Sequence, residues 1–328
     1  MHLREVGEFG LIDLIKENTI VDPASVVLGI GDDAAVYRPG PGMLELLTTD
    51  MLVENVHFSL STTSPWQLGY KAVAVNLSDI AAMGGRPRQA VVSLGLPPRL
   101  AVEYVIELYK GMKEICREFG VNIVGGDTVS SPHGLVVNVA VVGEVAPAGL
   151  LRRSGARPGD VVAVTGTLGD SAAGLELLAT ADWQQHDYAW PLVTAHLTPR
   201  PRLDIGRQLA GWGASSADDI SDGLASEANE IAHASKVGLR IFADRVPISP
   251  ATRQAAAAAG RRPLDYALYG GEDFQLIFTL SQEAWAGLPA GAGRLTAVGE
   301  VTGRAGEVVL VTDAGTSRLE PKGYNHFR

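Results

Sequence analysis

The sequence predicts two α/β-type (α+β) domains with mixed sheets. Three observations carry that reading. The chain has 328 residues, 46% of them hydrophobic and 20% charged, enough for one large or two moderate cores. Strand-like and helix-like runs mix in both halves without the strict alternation of a parallel sheet. The stretch APAGLLRRSGARPGD, residues 146–160, is rich in Gly, Pro and Arg and breaks the pattern. We therefore expect one domain over residues 1–147 and a second over 148–328.

Each element follows from local chemistry. GEFGLIDLIKENT places Phe9, Ile12, Leu14 and Ile15 at helical spacing. MLELLTTDMLVENVHF is β-like. SPWQLGYKAVAVNLSDIAAMGG reads as a helix, with Ser64 able to cap it, Pro65 in its first turn and Gly84-Gly85 ending it. RQAVVSLGLP is a strand, and LAVEYVIELYKGMKEICREFG is a long amphipathic helix closed by Gly120. VNIVGGDTVSS and GLVVNVAVVGEV read as strands flanking a Gly-rich turn. In the second half VVAVTG is a strand, residues near 250–260 form an Ala-rich helix, and YGGEDFQLIFTL ends in a strand. The phrases VVGEV (141–145) and AVGEV (297–301) close both halves alike, as two related halves would.

Composition narrows the function. The net charge of −10 argues against nucleic acid or an anionic membrane as the main partner. An acidic protein that handles anionic substrates needs metal ions or local basic groups. The single cysteine, Cys116, lies in a helical stretch and excludes a disulfide framework or a Cys-rich zinc site within one chain. No long apolar segment follows the first residues, and no apolar run reaches about 18 residues, so the expected location is the cytoplasm.

The segment GIGDDAAVY sets Asp32 and Asp33 side by side between apolar runs. Adjacent carboxylates repel, and burying an unpaired one is costly. The same segment reads G-x-G-x-x-A, but Pro39-Gly40-Pro41-Gly42 follows too soon for the helix that a dinucleotide-binding turn must launch. The chain also has no Gly-Lys-Ser/Thr, no G-x-S-x-G and no H-E-x-x-H. Its seven histidines are scattered, and His57 stands out because it lies just after an acidic cluster.

What recurs is aspartate among small residues: Asp32 and Asp33, Asp50, Asp79, Asp127, then Asp218, Asp219 and Asp222, with Glu272 and Asp273 in YGGEDF. Hard cations take oxygen ligands contributed singly by several segments, and Mg²⁺ keeps waters and phosphate oxygens besides. Each aspartate alone is an ordinary turn or cap residue; the set points to metal. Asp79 lies three residues after Asn76 on one face of an otherwise apolar helix. The glycine pairs at 84–85, 125–126 and 270–271 can present backbone N–H groups to phosphate, and Arg152 and Arg153 can meet a polyphosphate tail.

These residues resemble a family. GIGDDAAV, TTDMLVENVHF, YKAVAVNLSDIAAMGG, IVGGDTV, RSGARPGD, VTGTLGDSAAG, DISDGLASE, GGEDFQLIFT and KGYNHF, in order and nearly end to end, are similar to the thiamine-monophosphate kinases. These belong to a superfamily with aminoimidazole ribonucleotide synthetase, selenophosphate synthetase and the carbamoyl-dehydrating hydrogenase maturation protein. The resemblance implies a two-domain fold, with an N-terminal mixed sheet that pairs across a homodimer and a C-terminal α+β domain that completes the site. It implies ATP-dependent conversion of thiamine monophosphate to thiamine diphosphate, the last step of that cofactor's synthesis, with several Mg²⁺ ions. Carried over by position, Asp33, Thr48, Thr49, Asp50, Asp79, Asp127, Asp219 and Asp222 correspond to metal ligands. Tyr109, Gly126, Arg153 and Ser221 correspond to ATP contacts, and His57, Glu272 and Tyr324 to contacts with thiamine phosphate. Some relatives carry a tryptophan before KGY, where this chain has Pro321.

The chemistry agrees. The attacking phosphate has a second pKa of about 6, so at neutral pH it needs no general base, and direct in-line transfer without a phospho-enzyme is expected. Within the superfamily, selenophosphate synthetase would need a reactive Cys in an N-terminal loop, and the maturation protein a C-terminal Cys; Cys116 fits neither. Aminoimidazole ribonucleotide synthetase is the nearest alternative. A non-catalytic nucleotide-binding protein and a diphosphate phosphohydrolase are the alternatives from other classes. In an extended stretch neighbours point to opposite faces, so Asp33 is expected to face the metals and Asp32 to meet backbone N–H groups.

Overall fold

The computed structural model of the chain describes residues 26–28, 32–33, 35–40, 42–289 and 292–324. The helical spacing around Phe9 to Ile15, and the last three residues of KGYNHF, lie outside the described residues.

The N-terminal half runs β1 (Val26–Leu28), β2 (Ala35–Gly40), β3 (Met43–Val53), α1 (Pro65–Ala82), β4 (Arg86–Leu96), α2 (Val102–Phe119), β5 (Asn122–Ser130) and β6 (Val136–Val145). The strands form one six-stranded sheet in the order β1-β2-β3-β6-β4-β5. Every pairing is antiparallel except β4 with β5, which α2 connects. Along β3 the alternation of buried Leu44, Leu46, Thr48 and Leu52 with outward Leu47, Thr49 and Met51 fixes which side chains face the helices. Gly125-Gly126 makes no turn: both glycines lie inside β5, opposite Val91 and Val92 of β4. The strands approach so closely there that a Cβ on Gly126 would stand 1.8 Å from the Val92 carbonyl oxygen.

The C-terminal half runs β7 (Val161–Thr165), α3 (Asp170–Leu178), α4 (Ala189–Leu197), α5 (Leu203–Gly211), β8 (Ser216–Ile220), α6 (Leu224–Ser235) and β9 (Gly238–Phe242). Then come α7 (Pro250–Ala259), α8 (Pro263–Tyr269), β10 (Gln275–Leu280), α9 (Gln282–Ala286), β11 (Leu295–Thr302), β12 (Val308–Thr312) and β13 (Gly315–Arg318). Its seven strands are ordered β13-β12-β9-β11-β7-β10-β8, with β12–β9 the parallel pair. Both faces of this sheet are covered, which is why VVAVT and QLIFTL are buried throughout rather than alternating.

Helix α1 joins the halves. It begins with a complete capping box between Ser64 and Gln67 and with Pro65 in its first turn. It is apolar nearly all round because it is covered all round: β3, β4 and β6 pack on one side, α5 and β8 on the other. The core around Leu77 and Ile80 is accordingly continuous from Leu46, Val92 and Val139 to Leu209, Phe278 and Leu280. A second core, with Val162, Val164, Ile220, Ile231 and Leu239, fills the far face of the C-terminal sheet. Helices α1 and α2 cross on two glycines. A Cβ on Gly69 would lie 1.8 Å from the Leu108 carbonyl oxygen, and one on Gly111 would lie 1.9 Å from that of Trp66.

Candidate active site

Strand β8 carries Asp218 and Asp219 in SADDI, both buried at the edge of the C-terminal sheet where α1 packs. The sequence places these aspartates among turn-like residues; the structure puts them inside a strand. Ser78 of α1 donates its hydroxyl to Asp219. One residue on, Asp79 accepts from the Thr48 hydroxyl of β3. Asp33 approaches from the segment before β2, and carboxylate oxygens of Asp33, Asp218 and Asp219 lie within 4.8 Å of one another. Three segments far apart in sequence thus deliver carboxylates to one place, and β3 adds a hydroxyl.

Such a cluster is self-repelling, and its electrostatics show it. Burial, then the neighbouring carboxylates, push Asp79 and Asp219 well above the usual carboxylate range. Asp218 is pushed the same way, chiefly by burial, although Arg153 pulls it down. Asp50 rises to about 6 through burial and Asp33. Arg153 is the cation that answers them. Its Nε lies 2.9 Å from Asp218, and its terminal nitrogen donates to Asp33. Burial works against the guanidinium's charge, but Asp218, Asp33 and Asp32 more than offset that. Asp218 Oδ1 and Asp33 Oδ2 are still left without a hydrogen-bond partner among the described residues. Buried carboxylate oxygens with no donor are the kind of ligand a hard cation takes.

Asp32 accepts from two backbone N–H groups, Asp33's at 3.1 Å and Arg153's at 3.2 Å. This is the division of labour expected for the adjacent pair. Arg152 and Arg153 also divide: Arg152 is exposed and its carbonyl accepts from Ala217 N of β8, while Arg153 turns inward to the carboxylates.

Beside the cluster a cavity of about 990 Å³ opens between the two halves. Thr49, Asp50, Ser221 and Asp222 line it near the acidic groups, and His57, Glu272 and Tyr324 line it as well. His57 Nδ1 accepts from Val53 N at 3.0 Å. Glu272 sits on a strained loop: it has φ 64° and Phe274 has φ 47°, left-handed values for two non-glycine residues. Between them Asp273 accepts from Gly169 N at 2.6 Å and Ser171 N at 3.2 Å, tying the loop to the start of α3. Of the three glycine pairs, 270–271 lines the cavity; 84–85 and 125–126 do not.

One chain therefore gathers Asp33, Thr48, Asp50, Asp79, Arg153, Asp219, Ser221 and Asp222, and brings His57, Glu272 and Tyr324 to the adjoining cavity. Thr49 lines that cavity from the other face of β3, its hydroxyl donating to Val139 O and accepting from Asn138. Three residues stand apart. Tyr109 lies on α2 and does not line the cavity. Gly126 and Asp127 lie on β5, three strands from β3, roughly 14 Å at ordinary strand spacing. The register aligns Asp127 with Ser93, Asn138 and Met51 on the outward face, whereas Thr48 and Asp79 meet on the helix-covered face.

The recurring aspartates of the sequence include Asp218, although the resemblance leaves it out of the metal ligands; the sequence reading passed over Lys71 and His196. Lys71 is 1% exposed and His196 is 4% exposed, and both touch Glu272. A lysine amid the apolar run YKAVAV was the available signal for the first. His196 in TAHL carried none.

Comparison with known proteins places this geometry. Residues 31–145 match the model of the AIR synthase related protein N-terminal domain, and residues 157–312 match that of its C-terminal domain. The thiamine-monophosphate kinase of Bacillus subtilis is 42% identical over 98% of this chain and the whole of the relative. That of Aquifex aeolicus is 41% identical over the full length of both. The solved structure of AaThiL complexed with AMPPCP and TMP superposes with a TM-score of 0.90 at 40% identity, covering 100% of this chain and 99% of that one. The chain belongs to the AIR synthase related family and, within it, to the thiamine-monophosphate kinases.

Proposed function

We propose that the chain is an enzyme that transfers the γ-phosphoryl group of ATP to thiamine monophosphate, giving thiamine diphosphate and ADP. The observation that carries this reading is the joining of two dissimilar surfaces. A buried cluster of aspartates adjoins an interdomain cavity that also holds His57, Glu272 and Tyr324. The match to thiamine-monophosphate kinases over the whole chain, and to a relative crystallised with an ATP analogue and TMP, supports it.

The residue roles follow the family resemblance, position by position. Asp33, Thr48, Thr49, Asp50, Asp79, Asp127, Asp219 and Asp222 are proposed to hold Mg²⁺, and we add Asp218, whose free oxygen faces the same place. Bound there, Mg²⁺ neutralises the polyphosphate and orients it for displacement. Arg153, Ser221, Tyr109 and Gly126 are proposed for ATP. Arg153 is already fixed by Asp32 and Asp33, so its guanidinium is preorganised for a phosphate oxygen. His57, Glu272 and Tyr324 are proposed to hold the acceptor. The acceptor phosphate is largely ionised at neutral pH, so transfer is direct, with no protein base and no phospho-enzyme.

We further propose a cytoplasmic homodimer, with the two domains of each chain meeting at residues 147–148. Leu47, Met51, Val91 and Val129 are exposed along the outward side of the N-terminal sheet, beside Asp127. A second copy packed on that surface would cover them and carry its own Gly126 and Asp127 toward its partner's cluster. The function is tested with purified protein, ATP and Mg²⁺, with and without thiamine monophosphate. ADP and thiamine diphosphate should form together and only with the acceptor; ADP released without acceptor, and no thiamine diphosphate with it, sinks the reading.

A further inference from the structure

Three elements converge on the carboxylate of Glu272. Lys71, in the second turn of α1, reaches across the domain boundary and sets its Nζ 2.8 Å from Glu272 Oε2. His196, at the end of α4, sets Nδ1 3.2 Å from the same oxygen. Ser171, at the start of α3, stands 3.1 Å from that ring nitrogen. Lys71 does not line the cavity, whereas Glu272 and His196 do. A buried ammonium is costly unless paired, so an otherwise apolar helix keeps a lysine at this position only with a partner such as this one. Its reach ends at Glu272, so whatever it does for a ligand it does through that residue.

We propose that Lys71 and His196 are positioning residues that pin one carboxylate oxygen of Glu272 at the cavity wall, so that this carboxylate selects a cationic, amine-bearing acceptor. This rests on the reading of the protein as a thiamine-phosphate kinase, whose acceptor carries a thiazolium cation and an aminopyrimidine. A phosphate ester without either group would offer the positioned carboxylate no donor on the cavity side, which penalises it.

The charges support the assignment. Burial alone would raise Glu272, but Lys71, through its charge and its hydrogen bond, brings it below the usual glutamate value. Burial holds the His196 pKa near 3, with Lys71 adding to the effect, so the ring is neutral. A neutral ring facing a carboxylate through Nδ1 donates from Nδ1–H. Lys71 thus supplies the charge and His196 the orientation, while His57 faces Glu272 from the segment after β3. The strained backbone at Glu272, held by its N–H to Ser221 O at 2.6 Å, keeps the carboxylate from turning away.

The test compares wild type with Lys71→Met, His196→Leu and His196→Asn. It measures KM for each substrate and the pH profile of kcat/KM for thiamine monophosphate over roughly pH 5 to 9, where Glu272 with its charge partner stays ionised. Lys71→Met should raise KM for thiamine monophosphate about ten- to hundredfold, leave KM for ATP within about twofold, and move the acidic limb of the profile toward neutrality. His196→Leu should raise the same KM, and His196→Asn, which keeps a donor near Nδ1, should restore most of it. An unmoved limb in folded Lys71→Met, or KM values that rise equally for both substrates, overturns the proposal. If Lys71→Met does not fold, the His196 pair decides: selective loss in Leu with recovery in Asn supports it, and equal values for the two variants overturn it. A wild type that forms no thiamine diphosphate would instead overturn the functional reading beneath it.

Discussion

Arg153 Nε lies 2.9 Å from Asp218 Oδ2, and the same guanidinium donates to Asp33, so one side chain from the segment between the domains is the cation on carboxylates from both. Removing one member of a buried ion pair leaves the other uncompensated, at about 3–5 kcal/mol. Arg153→Met should therefore lower the melting temperature in metal-free buffer. Because Mg²⁺ can take over the neutralisation, it should recover more of that loss in the variant than it adds to wild type. Equal shifts in calorimetric scans with and without Mg²⁺ would show that the arginine and the metal do not share the carboxylates.

Asp79 is pushed upward by burial and by Asp50, Asp219 and Asp33, so its charge destabilises the fold that carries it. Asp79→Asn removes that repulsion and keeps an acceptor for Thr48. The melting temperature of the metal-free protein should hold or rise, while kcat falls by about a hundredfold or more, the usual scale for losing one electrostatic group at a reacting centre. Near-normal turnover at saturating Mg²⁺ would remove Asp79 from the ligand set.

The pH dependence carries a definite sign. Asp32 and Asp50 have folded-state values near 6, raised by burial and by Asp33, against about 3.8 in the unfolded chain. Between those values the folded state binds more protons than the unfolded one, so stability falls as pH rises through that window. The metal-free protein should melt several degrees lower at pH 7 than at pH 5. Mg²⁺, by favouring the ionised forms, should flatten or reverse that slope. Melting curves across pH with chelator and with Mg²⁺ check it, and a metal-free protein that gains stability over this interval contradicts it.

The crossing of α1 and α2 sets where Lys71, Asn76 and Asp79 stand. Gly69 faces the Leu108 carbonyl and Gly111 faces that of Trp66, each too close for a Cβ. Gly69→Ala or Gly111→Ala must push the helices apart, at about 1–3 kcal/mol or more. Because α1 carries site residues, activity should drop further than the stability loss alone explains. Kinetics well below the melting temperature of each variant separate the two effects.

Much of this was legible from residues alone, and the exceptions have physical reasons. Ser64, Pro65 and Gly120 mark the limits of their helices by local backbone chemistry, and both helices end as expected. Asp32 turns to backbone N–H groups while Asp33 joins the carboxylate cluster, although the pair lies in a bend before β2 rather than in a strand. The glycine pair 125–126 reads as a turn because glycine's freedom is a local property, whereas the reason for Gly126 is its close contact with Val92, 34 positions away in sequence. Asp218 stands among the recurring aspartates, but SADDI gives no sign that both its carboxylates are buried. His196 was missed because its partner Glu272 is brought to it only by the fold. Lys71 advertised itself by being charged within an apolar helix, but its partner lies 201 residues away.

Asp127 gives the last prediction. It is exposed on the edge strand, on the face opposite the one where Asp79 and Thr48 meet, with Leu47, Met51 and Val91 uncovered on the same outward side. If a second copy covers that side, Met51→Glu combined with Val91→Glu should convert a dimer to a monomer in sedimentation and abolish activity with the domains still folded. If Asp127 also serves the partner's cluster, Asp127→Asn and Asp79→Asn chains, each inactive alone, should complement when mixed and refolded. Each mixed dimer then holds one site free of either substitution, so random pairing should restore about a quarter of wild-type activity. No recovery on mixing would return Asp127 to its own chain's site, which the sheet geometry opposes, or remove it from the chemistry altogether.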